Sequence, residues 1–449
     1  MKHMIRILLL FLAICSLTTG SAQEVKHVVL ISIDGFRPEF YKEDYWPAAN
    51  LKIMAEKGVY ADEVRTIFPS VTYPSHTTLS TGVLPAEHGI YYNTEVGKDG
   101  KPDGWIYDHK KIRAKTIWQA AKEAGKTTAS VSWPVTVNNP HIDYNIPEIW
   151  SFENPMDRRG ATAKYANPRG LFEEAVAEAT GKLDIDEYNL SSLRMDVNLG
   201  RIAGYIIEKY KPNLLTVHLP NTDGAQHREG RRGDLVKRAV AGADHSVGEI
   251  YNALEKAGIL EHTAIIITGD HGFVTTHTSI SPNLWLKENG LDDKAFFFST
   301  GGSAFLHLKN GNDKTTVGKV RKMLEGLPLT QRSTFKVIEE KQIREMQGHP
   351  DVQLAISARR GFCFDNDTEG PLLKEKRGGK HGYYPDFHDI YTGFIGFGAG
   401  FEKEMNIPFM QLEDIPSIAA LLLGIDFPRS GGMAYPGILK PELSGTKKY

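Results

Sequence analysis

The sequence predicts an α/β fold with a mainly parallel sheet flanked by helices, and three observations carry that prediction. Short, largely apolar runs end in polar or acidic residues: His27 to Ile33 before Asp34, Leu214 to Leu219 before Asp223, and Thr263 to Thr268 before Asp270. Runs of this length and composition read as strands buried on both faces. Helix-like patterns alternate with them, at Asn50 to Lys57, Lys115 to Ala124, Leu199 to Tyr210, Leu235 to Ala257 and Leu412 to Leu423. Strands alternating with helices imply a parallel sheet. The acids fall at the carboxyl ends of the strands, where ligands of such sheets bind.

The chain opens with MKHMIRILLLFLAICSLTTGSAQ, in which Lys2 and Arg6 precede an apolar run from Ile7 to Leu17 and small residues lead up to Gln23. This is the pattern of a secretory signal over residues 1–22, cleaved after Ala22. The run is shorter than the roughly 20 apolar residues of a membrane span, so export to a periplasmic or extracellular space is expected rather than anchoring. Bulky Ile14 before Cys15 argues against a lipid-modified cysteine. The formal net charge is −2 for the whole chain, and losing Lys2 and Arg6 takes it to about −4. Basic residues are interspersed with acids, which excludes a nucleic-acid scaffold, and the densest basic stretch, Lys374 to Lys380, reads as a loop. Only Cys363 would remain after cleavage, so no intramolecular disulfide is available. Residues 138–192 and 297–380 are less regular and read as insertions that shape the mouth of a site.

Asp34 stands directly after the first strand in ISIDGFR, and Gly35 lets the chain turn there. Alone, such an Asp is a turn residue. In FPSVTYPSHTTLSTG a helix is expected from Ser75 toward Thr81, which puts the Thr72 hydroxyl near a helix N-terminus, a place suited to phosphate. A threonine hydroxyl is a poor nucleophile at neutral pH unless a divalent metal assists it. Asp223 and His227 in TDGAQH are four apart, so a helical turn would set both on one face. Asp270 and His271 are adjacent in TGDHGF, and reach one ion only from an irregular turn. His381 in KHGY completes a set of strand-end acids and histidines that reads as a metal site.

Six separated segments, ISIDGFR, the TYP of FPSVTYPSH, TGVLPAEHGI followed by Asn93, DGAQH, TGDHGF and KHGY, together resemble the nucleotide pyrophosphatase/phosphodiesterase family of the alkaline phosphatase superfamily. The resemblance runs in order from Asp34 to His381. It implies an alkaline-phosphatase-like core with inserted loops or a small cap, residues 23–449 forming one catalytic domain. It also implies two zinc ions, one held by Asp34, Thr72, Asp270 and His271, the other by Asp223, His227 and His381. Thr72 would be the covalent nucleophile, Asn93 would donate to a phosphate oxygen, and Tyr73 would stack on a nucleobase. The expected substrate is a small phosphate diester, with a nucleotide favoured. A second stacking aromatic is expected among Trp133, Tyr144 and Trp150.

The chain departs from the family's nucleotide enzymes after the TYP, reading Ser75, His76 and Thr77, which weakens inference about substrate. His76 reads as a packed helix-face residue, and His262, His277 and His388 as structural. A sulfatase would carry a cysteine or serine nucleophile within a Cys-x-Pro-x-Arg type motif, where this chain has Thr72, Pro74 and His76. A phosphomonoesterase needs a cation for the extra phosphate charge, for which Arg37, Arg113 and Lys211 are candidates. A non-catalytic binding protein on the same fold would have shed ligands, whereas all seven metal positions are filled.

Overall fold

The computed structural model describes residues 24–150, 153–311, 313–427 and 432–441. The expected signal segment, residues 1–22 with Cys15, lies outside the described residues. No helix among the described residues is long and apolar enough to cross a membrane.

An eight-stranded sheet forms the centre. Its strands are β1 (His27–Ile33), β2 (Val59–Ala61), β3 (Thr128–Val131), β4 (Tyr144–Ile146), β5 (Leu214–Leu219), β6 (Thr263–Thr268), β7 (Phe394–Gly398) and β8 (Met405–Ile407). They lie in the order β8-β2-β7-β6-β1-β5-β3-β4. All neighbours run parallel except at β7, which is antiparallel to β6 and β2. The three strands read from sequence are the three central ones, buried at every residue. Alternate residues of β1 feed two cores: Val29, Ile31 and Ile33 face one side and Val28 and Leu30 the other.

The first core is covered by helices α1 (Ala49–Lys57), α4 (Arg194–Tyr210) and α6 (Asp234–Lys256), the second by α2 (Thr72–Thr81), α3 (Ile117–Glu123) and α7 (Asp414–Leu423). All five expected helices form, with shifted ends. The helix expected from Ser75 starts at Thr72, because Pro74 falls in the first turn, where its missing N–H costs nothing.

Two regions differ from expectation. Residues 138–192 are not only an insertion: they supply β4, whose parallel pairing with β3 completes one edge of the central sheet. The basic stretch Lys374 to Lys380, expected as a loop, is most of an edge strand, Leu373–Lys380, antiparallel to Val274–Ile280. Glu375, Lys376 and Arg377 stay exposed and the backbone pairs on one side, a common way of guarding a sheet edge. Residues 297–380 also hold most of a separate four-stranded sheet, beside helix Lys314–Gly326.

Candidate active site

Every acid and histidine expected in the site except His381 follows the carboxyl end of a central strand. Asp34 follows β1, and its N–H donates to the Leu219 carbonyl at the end of β5 (2.9 Å). Gly35 turns the chain at φ +68°, and a Cβ there would meet Gln226 Nε2 at 2.8 Å. Pro220 leads from β5 into helix α5 (Asn221–Glu229), which carries Asp223 and His227 one turn apart. His227 Nε2 lies 3.3 Å from Asp223 Oδ1, while its Nδ1 is 3.0 Å from the Gly379 carbonyl. Asp270 and His271 sit in the irregular turn after β6, both fully buried. Asp270 Oδ1 accepts from the N–H groups of Gly35 and His271, each at 3.0 Å.

His381 arrives from the edge strand Leu373–Lys380. Its Nδ1 is 3.0 Å from the Ser70 carbonyl, and its ring stacks on His271 at 3.8 Å. Its Nε2 is 3.5 Å from Asp223 Oδ1. The six side chains therefore form one cluster: Asp34, Asp270 and His271 at one end, Asp223, His227 and His381 at the other. His271 lies between them, its Nε2 3.0 Å from Asp270 Oδ2 and 3.5 Å from Asp34 Oδ1. Asp223, His271 and His381 also group closely enough to share an ion.

This donor set fits divalent cations. Asp34 Oδ1, Asp223 Oδ1, Asp270 Oδ2 and His271 Nε2 are buried without a well-formed hydrogen bond among the described residues. Bare oxygens and a ring nitrogen converging in a buried space are costly unless a cation meets them. The histidines present one ring nitrogen to the cluster and hold the other near a backbone carbonyl, as metal-binding imidazoles do. The mixed nitrogen and carboxylate set suits zinc better than magnesium or calcium.

The electrostatics are those of buried, crowded charges. Burial, with the charges of Asp270 and Asp223, pushes the Asp34 carboxyl well above its usual range. Although burial opposes it, Asp270 holds His271 up at about 9. Burial and His271 push His381 well down.

Thr72 is the first residue of α2, and Val71, the residue that caps the helix, offers no side-chain cap. The free end of the first turn thus keeps its positive dipole. The Tyr73 N–H donates to Asn93 Oδ1 at 2.9 Å, which ties Asn93 to the turn that carries Thr72. Tyr73 itself is fully buried: its hydroxyl donates to Glu148 Oε1 (3.0 Å), and Trp105 and Tyr107 lie 5.2 and 6.4 Å from its ring. Of the three candidate partners, Trp133 lies buried under α2 with its Nε1 3.4 Å from the His76 carbonyl, and Tyr144 stacks on Tyr210 at 3.9 Å. Trp150 alone joins this group, stacked on Trp105 at 5.5 Å. Trp105, 37% exposed, is the aromatic that faces solvent.

Sequence reasoning missed Trp105 and a buried chain behind Asp34. His218, in β5, places Nε2 3.0 Å from Asp34 Oδ2 and Nδ1 2.9 Å from Glu148 Oε2. Glu148 in turn receives the Tyr73 hydroxyl and lies 3.8 Å from Arg158. The only signal was a histidine inside the apolar run LLTVHL, which needed a buried partner. His76 packs against neighbours as read, 4.3 Å from the His218 ring and 3.7 Å from Asp270. His262, His277 and His388 pair with Glu24, Thr278 and Glu63, outside the cluster.

Residues 28–384 match the model of the family described as type I phosphodiesterase / nucleotide pyrophosphatase. An ectonucleotide pyrophosphatase/phosphodiesterase of Caenorhabditis elegans is 24% identical over 404 residues, 89% of this chain and 47% of that protein, so the chain spans about half its length. The human family member 5 is 24% identical over 422 residues, covering 91% of this chain and 76% of that protein. Among solved structures, human ectonucleotide pyrophosphatase/phosphodiesterase 5 superposes with a TM-score of 0.67 at 19% identity, covering 92% of this chain and all of that one. An inactive form of the murine protein in complex with AMP gives 0.66 at 20% identity over 92% of this chain and all of that one. With the family model spanning most of its length, the chain belongs to the type I phosphodiesterase / nucleotide pyrophosphatase family.

Proposed function

We propose that this chain is an exported, two-zinc phosphodiesterase that hydrolyses phosphate diesters, nucleotides among them, through a covalent phospho-threonine on Thr72. The observation that carries the reading is the convergence of three carboxylates and three imidazoles, with unsatisfied atoms, at the end of the sheet. Asp34, Thr72, Asp270 and His271 would hold one zinc, and Asp223, His227 and His381 the other. When bound, the metals would supply positive charge that lowers the pKa of the Thr72 hydroxyl and neutralises the leaving oxygen.

The chain's own residues do the rest. Thr72 Oγ forms the bond to phosphorus as the bond to the leaving group breaks, and that group departs with the electron pair, the proton lost from the Thr72 hydroxyl neutralising it. Water then cleaves the phosphorus–Oγ bond, its hydroxyl going to phosphorus and its other proton to Thr72 Oγ. Asn93, its Oδ1 occupied by the Tyr73 N–H, has its amide N–H groups left to donate to a non-bridging oxygen. A nucleobase would rest on Trp105, with Tyr73 as the support beneath it.

A diester fits better than a monoester. Arg37 turns to Glu39 and the Arg231 carbonyl. Lys211 precedes the start of β5, at the opposite end of the sheet from Asp34. Arg113 lies 3.4 Å from the Tyr91 hydroxyl. Turnover of bis-p-nitrophenyl phosphate, thymidine 5'-monophosphate p-nitrophenyl ester and p-nitrophenyl phosphate, before and after chelation, tests the reading. Both diesters should be cleaved faster than the monoester, and chelation should abolish all three activities. A dominant monoesterase, or activity indifferent to chelation, would sink it.

A further inference from the structure

Behind the Asn93 segment lies a cavity of about 880 Å3 that the proposed reaction does not use. The chain on both sides of Asn93 walls it, from Gly89 to Tyr92 and from Thr94 to Lys98. Asn93 itself reaches the Tyr73 N–H and is not part of the lining, nor is Thr72 or any of the six acids and histidines of the cluster. The cavity is therefore separate from the phosphate position.

Its inner wall is built of rings. The Tyr92 hydroxyl lies 2.9 Å from His307 Nε2, Phe296 stacks on His307 at 5.4 Å, and Tyr91 sits 4.1 Å from the His349 ring. Burial above all, and the proximity of the two imidazoles, brings His307 down to about 3. Burial brings His349 down to about 4. Near neutral pH these histidines offer ring faces and hydrogen bonds but no charge.

The charge comes from the rim. Lys98, Lys110, Arg113 and Lys309 line the cavity, and among the described residues none of them is in an ion pair. Lys111 is taken up by Glu95 at 2.7 Å, which leaves Asp351 as the remaining acid of the lining. Four cations with no carboxylate partner, set around a wall of neutral rings, complement a small ligand that is anionic at one end and planar at the other. A flat polyanion track would lack the concave ring wall.

We propose that this cavity is a second binding site, separate from the metal cluster, for a small anion with a planar ring, of the nucleoside monophosphate class. Equilibrium dialysis of AMP against the metal-loaded full chain, with and without saturating orthovanadate at the catalytic cluster, tests it. One AMP should stay bound in the presence of orthovanadate. Its affinity should fall at least about tenfold in Lys110→Ala/Arg113→Ala, two exposed positions that leave the core untouched, with bis-p-nitrophenyl phosphate turnover unchanged. Tyr92→Phe, which removes the hydroxyl facing His307, should weaken it as well while circular dichroism stays that of the parent. Loss of all AMP binding on adding orthovanadate, or an affinity indifferent to these substitutions, would overturn the proposal. A chain that keeps this AMP but cleaves no diester would overturn the proposed reaction and leave the second site standing.

Discussion

At the scale of single residues, the roles separate by what each side chain touches. Thr72 opens a helix and is not part of the core, so Thr72→Ala should lower diester turnover by at least about a thousandfold with metal content and thermal midpoint retained. Thr72→Ser should keep part of the rate. More than about a tenth of the parent rate in the alanine variant would mean that water attacks directly. His218 acts differently, through Asp34: it bridges that carboxylate and Glu148 at 3.0 and 2.9 Å. Removing such an orienting partner typically weakens metal binding about 10–100-fold, so His218→Ala should release zinc to a competing chelator at correspondingly lower chelator concentration. Trp105→Ala should raise KM for the thymidine ester more than for bis-p-nitrophenyl phosphate, and equal effects would remove the base from the Trp105 face. The convergence of the acids and histidines was readable chiefly because Asp34 and Asp270 each follow an apolar run, while Asp223 with His227 and Asp270 with His271 share short segments. Glu148, in an irregular segment, and Trp105, at the end of the short exposed strand Pro102–Trp105, were not, since only the folded chain sets their approach to Tyr73.

At the scale of elements, what matters is how each strand or helix aims its end. The four-residue spacing of Asp223 and His227 needed α5 to start right after Pro220, and it does, at Asn221. Helix α2 presents Thr72 at its first position and stops at Gly82 in the left-handed region, φ +70°. A Cβ at Gly82 would also come within 3.1 Å of Phe427. Gly82→Ala should therefore cost about 1–2 kcal/mol, read as a lower urea midpoint. Turnover per folded molecule should stay near that of the parent, because the strain falls at the end of α2 remote from Thr72. Central strands were legible for a physical reason: buried on both faces, they carry uninterrupted apolar runs. The edge strands β4 and Leu373–Lys380 were not, because a strand of three residues or one full of charges carries no such run and only partner strands reveal it.

For the whole molecule, the fold brings like charges together, and the cations expected there should matter to stability as well as to chemistry. Burial and neighbouring carboxylates push the Asp34 carboxyl up. A ligand that binds the folded chain in preference to the unfolded one stabilises it by mass action. Dialysis against chelator should lower the thermal midpoint by at least about 5 °C, and added zinc should restore it; an unchanged midpoint would mean the cluster holds no tightly bound ion. The α/β class was legible from alternating strand and helix patterns. The placing of β7 against β6, in the opposite direction, was not, since direction is set by long-range packing rather than by local sequence.

The bond between His381 and the Ser70 carbonyl joins residues 311 positions apart, and it closes the cluster beside the turn that leads to Thr72. Contacts of such separation are the late and slow ones in folding. A nascent chain that stops short of residue 381 would have Asp34, Thr72 and Asp223 but no sixth side chain to complete the cluster. On the proposed reading, catalytic competence therefore waits until His381 has been made and has docked beside Ser70.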